Sequence, residues 1–428
     1  MAHEGDGTSP TSVASTRSDT TYSSLHASCP VCAEVDTTEL LHLPSIPTNN
    51  VILCDDPTGA SDWPVASFRL MLCRRCGFIF NADFQPAAVE YSSRIEETQA
   101  FSPHFVRYAE SLAGDWIDRY DIRAQTVLEI GCGKAEFLSL MCEIGDNQGI
   151  GFDPAVHIDR VDVDAALRLT LVADLFGDEQ IGLDADALVC RHTLEHIADV
   201  HGFLSMVHRW AAHRRESPIL LFEVPDVERI LDEVAFWDLF YEHCSYFTAD
   251  SLRFAFGRAG FEILDVRRTY DDQYLLLEAR PRSGATPCPV PPTQGVASAI
   301  ERSERFVDRY QLTTARCRAK LEQFKKDNKT VALWGGGSKA VSFLTNLGVS
   351  QLVDFAVDVN PNKQGKFLVG TGHPVHAPEQ LRDCGSLLLV VMNPVYMSEV
   401  TQIVETLGID ADITSVNDVL LDASATLG

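Results

Sequence analysis

Lysine is scarce in this chain. There are eight in 428 residues, and only Lys134 precedes Lys320. Lys plus Arg is 35 against 61 Asp plus Glu, a formal net charge of −26. A surface of that sign excludes broad docking on nucleic acid or anionic lipid, both of which need basic patches. No apolar run approaches the ~18 residues of a membrane-spanning helix. The first 24 residues contain no apolar core of the kind a secretory signal needs, so a cytoplasmic protein is expected. Internal repeats and long heptad runs are also missing, which excludes a solenoid or an extended coiled coil. What is present is ample core material: 45% hydrophobic and 9% aromatic residues. At ~150 residues per domain, the length predicts two to four domains.

Residues 1–25 are rich in Ser and Thr and read as a disordered tail. Residues 26–85 hold four paired cysteines, and from 86 to 281 strand and helix patterns alternate as in an α/β sheet domain. The Pro-rich stretch 282–296 reads as a linker, and 297–428 as a long helix followed by a smaller α/β unit.

Cys29-Pro-Val-Cys32 and Cys73-Arg-Arg-Cys76 are two CxxC pairs. A CxxC turn presents two thiolates to one ion, and two turns complete a tetrahedron, so the pattern predicts a Zn²⁺ site on Cys29, Cys32, Cys73 and Cys76. A thioredoxin-like redox pair is the rival, but it uses one CxxC inside a βαβ unit. Four thiolates close the coordination shell, so the metal is expected to be structural.

Thr126–Leu138 is an apolar strand, a glycine turn and a helix start. Gly131 and Gly133 let a ligand approach the backbone at the carboxyl end of a parallel strand. The third glycine of a dinucleotide fingerprint is replaced by Glu136, and Glu129 repels phosphate, so a cationic cofactor, S-adenosylmethionine (SAM), fits better. Asp153 ends the next strand, where an acid meets ribose hydroxyls. Asp174 ends the third strand and is expected near the adenine, and His192 ends the fourth, bordering the cofactor. His192 and His196 make H-x-x-x-H with Glu195 beside the second His. A zinc-protease helix places its Glu beside the first, so a metal role is not favoured and His196 reads as a surface or core residue. The segments VLEIGCG, GFDP, LEHI and YLLLEA, followed through seven strands with a late antiparallel pair, resemble class I SAM-dependent methyltransferases over about 100–281.

Phe236–Phe247 is aromatic-rich, with Tyr241, Glu242 and His243 in a row. Methyl transfer to carbon needs a base beside a carbonyl, and His243 is the natural one at neutral pH. Tyr241 is then the donor to the enolate oxygen, and Glu242 orients the imidazole or binds substrate. The same residues also fit a His hydrogen-bonded in an aromatic core.

From Cys29 to about 410 the chain resembles the deoxysugar C-methyltransferases, which act on nucleotide-linked 4-keto sugars. That family joins a zinc-binding module with two CxxC pairs, a SAM domain and a C-terminal Rossmann-like domain. Its YEH-x-S-Y-F-type segment stands here as Tyr241–Phe247. The resemblance implies that His243 deprotonates C3 beside a C4 ketone, that zinc is structural, and that the substrate is a nucleotide-linked sugar.

In the C-terminal unit, Val331–Ala340 is again strand, glycine turn and helix. Gly335 and Gly337 offer N–H groups at a helix start, and Lys339, Lys363 and Lys366 add positive charge, so a substrate phosphate contact is one reading and simple helix–sheet packing the other. The chain departs from the sugar family's pattern after Gly131, at Tyr270–Tyr274 and at Val391–Tyr396. Two alternatives accompany the sugar reading: C-, O- or N-methylation of a non-sugar natural-product intermediate, and a zinc- and SAM-binding regulatory protein without turnover.

Overall fold

The computed structural model describes residues 27–92, 94–156, 168–282 and 289–420. The tail expected over 1–25 lies outside these residues, as does part of the expected linker. Three sheets organise the chain. The first is antiparallel and built from β1 (Thr37–Pro47), β2 (Val65–Cys73) and β3 (Ile79–Asn81).

The second sheet holds β4 (Thr126–Ile130), β5 (Gln148–Phe152), β6 (Leu169–Val172), β7 (Ala187–Arg191) and β8 (Ile219–Pro225). The chain then returns to the first sheet as β9 (Ser245–Tyr246), which pairs antiparallel with β3. It comes back as β10 (Phe261–Thr269) and β11 (Tyr274–Pro281). The spatial order is β10-β11-β8-β7-β4-β5-β6, parallel except where β11 runs antiparallel to both neighbours. This is the class I SAM methyltransferase sheet. Strands β4, β7 and β8 are buried along almost their whole length, as expected where helices cover both faces.

The third sheet is fully parallel, in the order β14-β13-β12-β15-β16: β12 (Thr330–Trp334), β13 (Phe355–Val357), β14 (Val375–His376), β15 (Leu387–Val391) and β16 (Asp412–Ser415). It is joined to the second by one helix, Thr293–Lys326. That helix begins inside the stretch read as linker, because Pro292 stands at its cap and proline suits a helix entry. Among the described residues, no helix is long and apolar enough to cross a membrane.

The domains do not sit as separate beads. One apolar core contains Phe68 and Leu70 of the first sheet, Phe236, Trp237 and Tyr241 of the aromatic segment, Phe306 of the long helix and Phe343 of the third unit. A second core joins Cys29, Cys76, Phe78 and Phe80 to Phe222, Phe247 and Phe256 of the methyltransferase unit. The N-terminal module is therefore wedged between the other two, and the segment carrying His243 runs through the wedge.

Candidate active site

The two CxxC turns face each other. Cys29 Sγ lies 3.7 Å from Cys76 Sγ, and Cys32 Sγ lies 3.5 Å from Cys73 Sγ. A disulfide needs about 2.05 Å, which excludes cross-linking. Tetrahedral zinc with Zn–S bonds of about 2.3 Å separates sulfurs by about 3.8 Å, so the four thiols fit a metal ion. Both turns close identically, with Ala33 N–H donating to Cys29 C=O at 2.8 Å and Gly77 N–H to Cys73 C=O at 2.9 Å. Both closing residues are left-handed, at φ +62° and +72°. Gly77→Ala should lower stability by about 1–2 kcal/mol, from the left-handed strain and a Cβ only 3.3 Å from that of Ala299. Ala33→Gly should lose nothing, because it relieves the same strain. The urea midpoints of the two variants check this.

The carboxyl ends of β7, β4 and β5 lie side by side and bring Glu129, Gly131, Gly133, Asp153 and His192 to one edge of the sheet. Gly131 has φ +72°, and a Cβ there would fall 1.9 Å from Thr193 Oγ1, so the turn must stay bare. Asp153 accepts from Gly133 N–H at 3.0 Å and from Ala155 N–H at 2.7 Å, which closes the loop. Glu129 is buried, and its Oε2 has no hydrogen-bond partner among the described residues. Burial pushes its carboxyl up to about 8, against the pull of Arg191. A buried acid with one oxygen unpartnered beside a bare backbone turn fits a cationic ligand, as SAM is. Asp174 sits exposed past β6, where its carboxylate accepts from Leu175 N–H at 2.7 Å.

His192 has φ +48° and stands between two carboxylates, with Nδ1 3.4 Å from Glu195 Oε1 and Nε2 3.7 Å from Glu223 Oε2. Leu194–His196 is a short 3₁₀ turn, so the two histidines do not share an α-helix. That turn anchors the aromatic segment: Cys244 N–H donates to Glu195 C=O at 2.9 Å, and Asn81 N–H to Cys244 C=O at 2.9 Å. His243 is thereby packed with its ring centre 4.8 Å from those of His196 and Phe240 and 6.3 Å from that of Tyr246. Desolvation, with help from His196 and His192, lowers its pKa well below 6.5 and keeps it neutral.

Tyr241 does not join it. The Tyr241 hydroxyl accepts from Gln85 N–H at 3.0 Å and donates to Asp83 C=O at 3.3 Å, and its ring packs on Phe84. The expected enolate donor is a clamp on the N-terminal module instead, because the β3–β9 pairing directs it there. Glu242 is likewise turned to the Asn50 backbone N–H, and burial raises it to about 7. One tyrosine that sequence reasoning passed over feels the charges of this site. Tyr91 is 42% exposed, yet burial of its phenol and the charges of Glu242, Asp153 and Glu195 push its pKa up. No motif marks it. His196, read as a surface or core residue, is the other omission: it packs against His243, and its Nδ1 has no partner among the described residues.

In the third unit, Gly336 N–H donates to Asp358 Oδ2 at 2.8 Å, so an acid already occupies the glycine turn. Lys363 Nζ lies beside Gly337 and 3.5 Å from Asp358. Gly335 N–H is taken by Val357 C=O at 2.8 Å. Lys366 pairs with Asp55. Lys339, expected at a phosphate, is half-buried against Asp238, which also binds Arg229. Burial raises the Asp238 carboxyl, but the two cations outweigh it and hold it below the usual range. The pair ties the third unit to the aromatic segment. Lys339→Met should cost about 1.5–3 kcal/mol, the scale of one lost charged hydrogen bond, because Asp238 keeps Arg229. Because the Asp238 pKa is depressed, its stabilising share is present above about pH 3.9 and is lost as pH falls through the folded value. Melting curves of wild type and variant between pH 3 and 7 should converge at the acid end.

Two segments that depart from the sugar family meet in space. The Tyr270 hydroxyl donates to that of Tyr396 at 2.7 Å, which donates to Gln99 Oε1 at 2.8 Å, and Gln273 Nε2 donates to Asn393 Oδ1 at 2.8 Å. Tyr274 places its ring 4.5 Å from that of His192, which links this clasp to the cofactor edge.

Comparison with known proteins agrees with this anatomy. Residues 105–266 match a methyltransferase domain model, and residues 294–408 match the C-methyltransferase C-terminal domain. The C-methyltransferase NovU of Streptomyces niveus is 27% identical over 372 residues, covering 82% of this chain and 86% of that protein. Among solved structures, the magnesium protoporphyrin IX methyltransferase of Synechocystis PCC 6803 is 15% identical with a TM-score of 0.32, covering 42% of this chain and 84% of that one. A SAM-dependent methyltransferase of Mesorhizobium loti is 16% identical with a TM-score of 0.30, covering 40% and 99%. With its seven-stranded sheet and these two domain matches, the chain is a methyltransferase of the class I fold that carries the C-terminal domain of the C-methyltransferases.

Proposed function

We propose that this enzyme uses SAM to methylate a carbon next to a ketone, and that its acceptor is a nucleotide-linked 4-keto-deoxysugar methylated at C3. The observation that carries the reading is His243. It is a desolvated imidazole whose pKa is held well below 6.5, so it is neutral at pH 7, and a second imidazole lies against its ring. A carbon acid needs such a base, whereas a plain binding protein would not bury one.

SAM supplies an activated methyl group when bound. Glu129 and Asp153 are assigned to its cationic and ribose ends, with Gly131 and Gly133 as the bare floor and Asp174 and His192 at the rim. His243 takes the proton from the carbon, and the electron pair left behind attacks the methyl. Tyr91 is assigned as donor to the enolate oxygen, in place of Tyr241. Phe240 and Tyr246 keep water from the base. Glu242 holds Asn50, and so the N-terminal module, against the site. Lys363, beside Gly337 and 3.5 Å from Asp358, is the lysine assigned to a substrate phosphate, since Lys339 is held more closely by Asp238. Zinc on the four thiolates would be structural, with its shell closed.

The test is incubation with SAM and a panel of nucleoside diphosphate-linked 4-keto-deoxyhexoses, read by mass spectrometry and NMR. The expected product gains one CH₂ as a methyl on C3. A methyl on oxygen or nitrogen ends the carbon reading, and no product from any sugar ends the sugar reading.

A further inference from the structure

We propose that Glu195 and His192 form the route by which the proton taken up by His243 leaves the site, an inference that rests on His243 being the base. In the reaction proposed above the carbon–hydrogen bond breaks and its electron pair forms the bond to the methyl carbon. The methyl–sulfur pair stays on sulfur, and the proton remains on His243. One proton per turnover must then leave a half-buried imidazole packed between His196 and Phe240 before the next cycle.

Around His243 the structure offers one continuous row of proton carriers. Ligand-type atoms of His243, His196 and Glu195 all lie within 4.8 Å of one another, a gap that a single water bridges. Glu195 Oε1 is 3.4 Å from His192 Nδ1, and His192 Nε2 is 3.7 Å from Glu223 Oε2. Glu223 is in turn held by Tyr108 and Arg191, so the far end of the row is fixed. The Glu195 side chain is 2% exposed and that of His192 is 29% exposed, so the row runs from the interior to the cleft.

Glu195 is buried, and one side of its carboxyl faces His192 Nδ1 at 3.4 Å. Its Oε2 has no hydrogen-bond partner among the described residues, and its carbonyl already does the anchoring by accepting from Cys244 N–H. A buried carboxyl oxygen without a donor is costly to keep, and a proton in transit is the partner that explains it. His192, with a carboxylate at each ring nitrogen, is arranged to accept on one side and release on the other.

The experiment is solvent exchange of the His243 imidazole N–H, followed by NMR on protein labelled with ¹⁵N-histidine, in wild type, Glu195→Gln and His192→Asn. Gln keeps the shape of Glu195, and Asn tolerates the left-handed backbone at 192. Each variant should slow the exchange about tenfold, the scale on which a lost acid–base relay is felt. Exchange that is unchanged or faster in both folded variants overturns the route. Loosened packing speeds exchange, so a merely structural role has the opposite sign. The measurement needs no substrate. Failure of the base reading would show separately, as methyl transfer that survives His243→Ala.

Discussion

Replacing His243 by alanine should abolish turnover while SAM still binds, with kcat falling about 10²–10⁴-fold, the usual contribution of a positioned base. The argument rests on position and state. The imidazole is packed against His196 and Phe240, and desolvation keeps it unprotonated. None of the groups assigned to SAM, Glu129, Gly131, Gly133, Asp153, Asp174 and His192, is touched by the change. Thermal stabilisation by SAM should therefore survive in the variant, while exchange of the acceptor's C3 proton into D₂O should vanish. Exchange that persists without His243 would mean that another group is the base. The pH profile carries the same signature. A His whose folded pKa lies below 6.5 stays competent as pH falls past that value, so the acid limb of kcat/KM is expected below pH 6.5.

Stripping metal from the four thiols should be the largest single blow to stability. The purified protein is expected to hold about one zinc per chain. Cys29→Ser or Cys76→Ser should lose it at a cost on the order of several kcal/mol, because metal binding at such a site is folding free energy. The effect should reach beyond the module. Cys29, Cys73 and Cys76 lie in the same apolar core as Phe78, Phe80 and Phe247, and β3, which begins at Ile79, is what holds β9 two residues past His243. Activity should fall along with the melting temperature, whereas SAM contacts on the sheet edge, built by β4, β5 and β7, should weaken less. Metal analysis and melting curves with and without a chelator test this. If both Cys→Ser proteins keep their metal content and melting temperature, the zinc assignment is wrong.

Much of this was legible in the residue string. The strand–glycine–helix pattern at Thr126–Leu138 and its echo at Val331–Ala340 rest on local chemistry: an apolar run, residues free to adopt positive φ, then helical spacing. The CxxC pairs are local too, and two such turns brought face to face suit a tetrahedral ion. His243 could be singled out because few side chains can serve as a neutral base at pH 7.

The partners of side chains were not legible where they come from distant strands. Tyr241 looked like a second catalytic group from its neighbours in sequence, but the pairing of Ile79 with Tyr246 turns it onto Asp83 and Gln85. Lys339 looked like a free cation beside a glycine turn, until the third unit packed it on Asp238. Tyr91, in no motif, comes under the charges of Glu242, Asp153 and Glu195 only in the folded chain. The sequence by itself determined the sheet order's local pieces and marked the cysteine pairs and the proposed base. The tertiary structure alone decided which side chains surround that base and which are spent as clamps. The reason is physical: periodicity and turn chemistry act over a few residues, whereas the field around a buried imidazole is assembled from segments that meet only through long-range register and packing.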